Sequence, residues 1–144
     1  MLRLMKKDKA YCQICDKDVG YYIKESTREG TIRGVTFTYV FFEAFCEGCN
    51  ERVYPTKISK LNWINELNEY KKNVGLLTSD EIIAIRKKLS LTQKGLAKLM
   101  GCGLKTITRY ENGAIQDRVF DNFIRCLELM HDHKVRYKQV LNYQ

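Results

Sequence analysis

Proline, histidine and tryptophan are scarce in this chain. Among 144 residues there is one proline, Pro55, one tryptophan, Trp63, and two histidines, His131 and His133. Two histidines near a helix end, with no further ligand beside them, read as exposed side chains rather than a metal pair. Long apolar runs are also absent. Nothing approaches the roughly 18–20 residues needed to span a bilayer, so no membrane contact is expected. The basic N-terminus, MLRLMKKDKA, is followed by no apolar stretch, so it is not expected to be a secretory signal. That reading places the chain in the cytoplasm, where thiols stay reduced. A Ser-His-Asp arrangement, an HExxH pair and a phosphate-cradling glycine loop are missing as well. The chain is therefore not expected to be an enzyme, and no catalytic residue or small-molecule substrate is assigned.

Acidic residues are in deficit: 17 Asp and Glu stand against 25 Lys and Arg, a formal charge of +8. The surplus is denser late in the chain, with 12 basic against 7 acidic over 76–144, compared with 13 against 10 over 1–75. Such a balance suits a polyanionic partner.

Six cysteines in a reduced compartment point to metal ligands or small buried side chains rather than disulfides. Four of them form two CxxC pairs, Cys12-Gln-Ile-Cys15 and Cys46-Glu-Gly-Cys49. Each tight turn can present two sulfurs to one point, so the four thiolates can hold one structural Zn²⁺ tetrahedrally. Gly48 gives the second turn the backbone freedom to aim amides at sulfur. With all four positions filled by protein, no water is left to activate. A thiol oxidoreductase is the weaker reading, because each CxxC lies in a turn between strands rather than in a βαβ setting. Cys102 and Cys126 read as small core residues.

Between the pairs, Val19–Glu25 and Val35–Phe45 are rich in β-branched and aromatic residues, and Thr27–Gly34 reads as their connection. Phe37, Tyr39, Phe41 and Phe45 share one parity, which predicts the core face of a small sheet. Phe42 and Val40 fall opposite. Glu51–Pro55 reads as a short strand. From Lys57 to Asn73, Ile58, Leu61, Ile64, Leu67 and Tyr70 recur at helical spacing, predicting a helix packed on the sheet. Met1–Ala10 reads as a loosely packed arm. Asn73-Val74-Gly75 breaks the helix, which puts a boundary at Gly75 with a short hinge through Leu77.

Thr78 then caps a helix with Glu81 in its first turn. Ile82, Ile85 and Leu89 face inward, and Arg86, Lys87 and Lys88 outward. Leu91–Gly113 (LTQKGLAKLMGCGLKTITRYENG) reads as two short helices about a Gly101-Cys102-Gly103 turn, the layout of a helix-turn-helix. Gln93, at the start of the first, is positioned to hold a DNA phosphate. In the second, Leu104, Lys105 and Thr106 occupy the exposed first turn, Ile107 points inward, and Thr108 and Arg109 follow. Lys105 and Arg109 lie four residues apart on one face. Both suit guanine O6 and N7, while Leu104 can meet a thymine methyl. Asp117–Met130 reads as a last amphipathic helix that forms or supports a dimer.

Residues 80–113, with IRKKLSLTQ at 85–93 and RYENG at 109–113, resemble a helix-turn-helix of the Cro/repressor (XRE) type. Joined to a preceding CxxC…CxxC module, they resemble the MqsA/YgiT family of antitoxins. The resemblance implies an α+β chain: a zinc-bound β-hairpin module with one helix over 1–75, then an all-α, five-helix-type Cro/repressor domain over 76–144. It also implies a toxin held by the first part. The second part would be a homodimeric repressor on an operator in double-stranded DNA, with Lys105 and Arg109 at the base-reading positions. The competing reading is a stand-alone repressor of a phage or mobile element, with zinc stabilising an effector or oligomerisation domain.

Overall fold

The computed structural model describes residues 8–134. Four strands precede five helices: β1 (Lys9–Cys12), β2 (Lys17–Ile32), β3 (Val35–Cys46), β4 (Arg52–Val53), α1 (Thr56–Asn73), α2 (Ser79–Lys88), α3 (Gln93–Met100), α4 (Leu104–Glu111) and α5 (Arg118–Asp132). The class is α+β, as read from the sequence. The chain divides into two compact units, 1–66 and 67–144, with the division inside α1. No helix among the described residues is long and apolar enough to cross a membrane.

In the first unit the strands form one antiparallel sheet in the order β1-β2-β3-β4. Its centre is the β2–β3 hairpin, with Tyr21 opposite Cys46 and Ile32 opposite Val35. The connection is not the eight-residue stretch expected but the pair Arg33-Gly34, at φ 50° and 80°. Two successive positive φ values match the hand of turn that suits the twist of paired strands. Gly30 is therefore a strand residue. It sits opposite Phe37, and a Cβ on it would come within 3.1 Å of that ring and 3.2 Å of Glu66 Oε1. Its role is close approach, not turning. Lys9 and Ala10, expected in a loose arm, belong to β1, and Ala10 is buried because it packs beside Cys12 and Val19.

Burial changes parity along β3. Phe37 is buried at the tip end, but Phe42, Ala44 and Cys46 are the buried residues towards the base. Tyr39, Phe41 and Phe45, expected inside, are half-buried. The base of the sheet turns its even face to a core of Ala10, Cys12, Val19, Ala44, Cys46 and Val53, so cysteine position fixes which face goes in.

Helix α1 buries Ile58 and Tyr70 as its spacing predicts, but also Asn62, Asn68 and Lys71. Asn62 explains one of these. Its Oδ1 accepts from the Phe42 N–H at 2.8 Å and its Nδ2 donates to the Phe42 carbonyl at 2.8 Å. Asn65, three residues on and so on the same side of the helix, donates to the Val40 carbonyl at 3.1 Å. The two carboxamides satisfy backbone groups of β3 that β4, paired only at Ala44 and Phe45, leaves without a strand.

In the second unit, α2–α5 and the end of α1 surround a core that includes Leu77, Ile82, Ile85, Leu89, Leu96, Ile107, Phe120 and Ile124. Thr78 and Glu81 form a reciprocal capping box at α2. The segment through Leu77, expected as a hinge, is buried and tied down. The Leu77 N–H donates to Asp121 Oδ1 at 2.7 Å, the Leu77 carbonyl accepts from Gln116 at 2.7 Å, and Arg118 donates to the carbonyls of Val74 and Gly75. Burial pushes the Asp121 carboxyl up, but hydrogen bonds from Arg125, Leu77 and Gln116 outweigh it and hold the group below the usual range. Cys102 packs against the core as expected. Cys126 does not: it is exposed, with Phe123 and Leu129, because the inward stripe of α5 runs through Phe120, Ile124 and Leu127.

Candidate metal centre and nucleic-acid interface

Two turns at one corner of the sheet carry the cysteine pairs. Cys12 ends β1 and Cys46 ends β3, and the chain turns back after four residues at the first and five at the second. The residue after each second cysteine, Asp16 and Asn50, takes a left-handed conformation, at φ 50° and 60°. Asx residues tolerate that region better than most. The turns are thus built alike from different sequences. They bring the four sulfurs together: Cys12 to Cys49 at 3.5 Å, Cys15 to Cys46 at 3.8 Å, and all four within 4.8 Å. Around an ion bound at about 2.3 Å, tetrahedral thiolates stand roughly 3.8 Å apart. The cluster is already near that spacing, and none of the four is in a disulfide.

The second turn supplies charge stabilisation as well as shape. The Gly48 N–H donates to Cys46 Sγ at 3.3 Å, and a Cβ on Gly48 would lie against the sulfurs of Cys46 and Cys15. Donation from Cys49 N–H first, and then from Gly48, brings the Cys46 thiol down to about 7. Cys15, hydrogen-bonded to Cys49 and desolvated, is pushed up to about 12. Four sulfurs converging on one point are a donor set that could hold a metal ion.

The second candidate surface is built on α3 and α4. Thr92 caps α3, accepting from the Gly95 N–H at 3.0 Å, and Gly101 ends it in the left-handed region at φ 66°. Gly103 then starts α4 with no side-chain cap. Ile107 is fully buried beneath α4. On the other side Leu104, Lys105 and Arg109 are exposed, and Thr106 is half-buried. The sequence-predicted readers therefore share one open face.

Gln93 and Thr108 are placed differently. Gln93 Nε2 donates to Glu111 Oε2 at 2.8 Å, and its Oε1 faces the Thr108 hydroxyl at 3.4 Å. The Thr108 hydroxyl also reaches the Leu104 carbonyl at 3.1 Å. Glu111 is in turn gripped by Arg86, Nε to Oε1 and a second nitrogen to Oε2 at 3.0 Å. Arg86 was expected to face outward; it is instead mostly covered, because its fork pairs with the buried Glu111 and with the Leu91 carbonyl. Sequence reading assigned Glu111 no role. The glutamate of RYENG lying 18 residues after Gln93 was the available signal, but nothing in periodicity says that the two meet.

Residues 10–140 match the family model described as the antitoxin component of a bacterial toxin-antitoxin system, MqsA. The chain belongs to the MqsA antitoxin family. It is 27% identical over 119 residues to antitoxin MqsA of Escherichia coli strain K12, covering 81% of this chain and 82% of that relative. An MqsA antitoxin has a toxin for a partner, and the four-cysteine cluster gives this member a metal-binding site at the base of its sheet.

Proposed function

We propose that this cytoplasmic antitoxin neutralises its toxin by direct contact through the first part of the chain, about 1–75, and represses its own operon through the second, about 76–144. Cys12, Cys15, Cys46 and Cys49 hold one structural Zn²⁺. Lys105 and Arg109 read bases in a major groove, Leu104 meets a thymine methyl, and Thr106 and Thr108 line the same contact. Gln93 binds a phosphate and sets register. The observation that carries the DNA reading is the arrangement of α4: Ile107 fixes its back to the core while Lys105 and Arg109 stand one turn apart on the open side. A homodimer is supported by the apolar residues Val119, Phe123 and Leu129, which α5 leaves exposed, since repressors of this geometry meet paired half-sites about 34 Å apart. The role requires no catalytic step.

The test is binding to the DNA upstream of the chain's own gene. Arg109→Ala should weaken binding by about 1–3 kcal/mol and relax preference at one base position in each half-site. Wild-type affinity and specificity in that variant would refute the assignment.

A further inference from the structure

The first unit contains a cleft of about 340 Å³ between β3, β4 and the start of α1. Its walls include Phe42, Val53, Ile58 and Trp63. Trp63 and Tyr54 keep 48% and 76% of their surface exposed at its margins, an apolar rim with no covering element among the described residues.

Charge is separated along the cleft. At the end near β4, Arg28 and Arg52 converge on one oxygen of Glu43, Oε1, at 3.3 and 2.5 Å. At the other end Glu66 lies beside Gly30, near the hairpin tip. The arginine pair is preorganised: the Arg28 guanidinium stacks on Phe41 at 3.4 Å from the ring centre. A guanidinium has five N–H donors, and Glu43 engages few of them. Both arginine side chains are nearly half exposed, whereas that of Glu43 is at 18%. The rim therefore offers a fork of spare donors beside an apolar hollow, and that combination recognises a carboxylate adjoining a large apolar side chain.

We propose that the toxin is anchored here: one of its aromatic or large aliphatic side chains fills the space against Phe42, Ile58 and Trp63, and a neighbouring Asp or Glu carboxylate is gripped by Arg28 and Arg52. The proposal rests on the reading that this part of the antitoxin holds the toxin, and adds which surface does so and what it recognises.

Trp63 makes the test direct, since it is the only tryptophan in the chain. The full-length antitoxin is titrated with the toxin encoded beside it, and the emission of Trp63 is isolated by difference from a Trp63→Phe variant. Binding should shift that emission to the blue. The double variant Arg28→Ala/Arg52→Ala should bind 10–100-fold more weakly, the size expected for buried anchors. Ser59→Phe, which narrows the cleft and leaves the arginine pair intact, should weaken binding at least 10-fold. Both variants are compared with wild type by circular dichroism and melting, and one that keeps its fold suffices. Unchanged affinity in a folded variant, or binding with no change in Trp63 emission, overturns the cleft assignment and leaves toxin binding standing. No binding by the wild type overturns both.

Discussion

Lys71 is the residue least at ease in this fold. Its side chain has no exposed surface, and its Nζ has no hydrogen-bond partner among the described residues. Desolvation draws its pKa down from 10.5 to about 8, against the pull of Asp121 and Asp80 in the other direction. The folded state thus binds fewer protons than the unfolded chain between about pH 8 and 10.5, so this group makes stability rise with pH across that window and withholds it fully below. Lys71→Met should remove the rise and melt at a higher temperature than wild type at pH 7. Parallel pH profiles of the two proteins, followed by thermal unfolding, check both points. Arg86, Glu111 and Asp121 also bury charge, but each has its partners. Sequence reading put Arg86 on the surface because it could count periodicity and not pairing. Arg86 is covered because Glu111, 25 residues away on α4, supplies its counter-ion, while Asp121 pairs with Arg125 on its own helix and takes the Leu77 N–H from 44 residues away.

Elements were legible where local chemistry decides them. Thr78, Thr92, Gly101 and the CxxC turns stand where capping and turn rules place them. Residue types place both long strands but cut them short, because glycine reads as a turn, whereas Gly30 lets Phe37 and Glu66 approach. The buried face of β3 was half misread, since an aromatic row at period two says nothing of a change in packing partner midway. Helix α1 shows the limit best. Its apolar repeat announced a helix, but part of what attaches it to β3 is polar. Asn62→Ala would leave the N–H and carbonyl of Phe42 without these partners in a buried place, at a cost of about 1–3 kcal/mol. Denaturant unfolding should register that loss, with Asn65→Ala, at a more exposed bond, losing less. Equal effects from the two would mean that the paired carboxamide contributes little.

For the molecule as a whole, the two units rest on different supports. Among the described residues the second has a core of eleven buried residues, and the cysteine-bearing core of the first has six, two of them metal-ligand candidates. A core that small is marginal without a staple. Chelation of the metal at neutral pH should therefore cost the first unit its fold while α2–α5 persist. Loss of near-ultraviolet signal from the aromatic hairpin, with most helical signal at 222 nm retained, is the expected result; joint survival of both signals after verified metal loss would contradict it. The Arg33-Gly34 turn carries a further consequence, in time rather than in structure. Hairpins closed by tight turns zip in about 1–10 μs, because each pairing is local to the one before. Zipping from Ile32–Val35 ends with Tyr21 opposite Cys46, and β1 then folds back on β2 to set Cys12 beside Lys17. Ligands separated by thirty residues of sequence are thus delivered to one corner by neighbour-to-neighbour steps. An ion captured as the hairpin zips holds both pairs of sulfurs together, so strand pairing and metal binding complete each other.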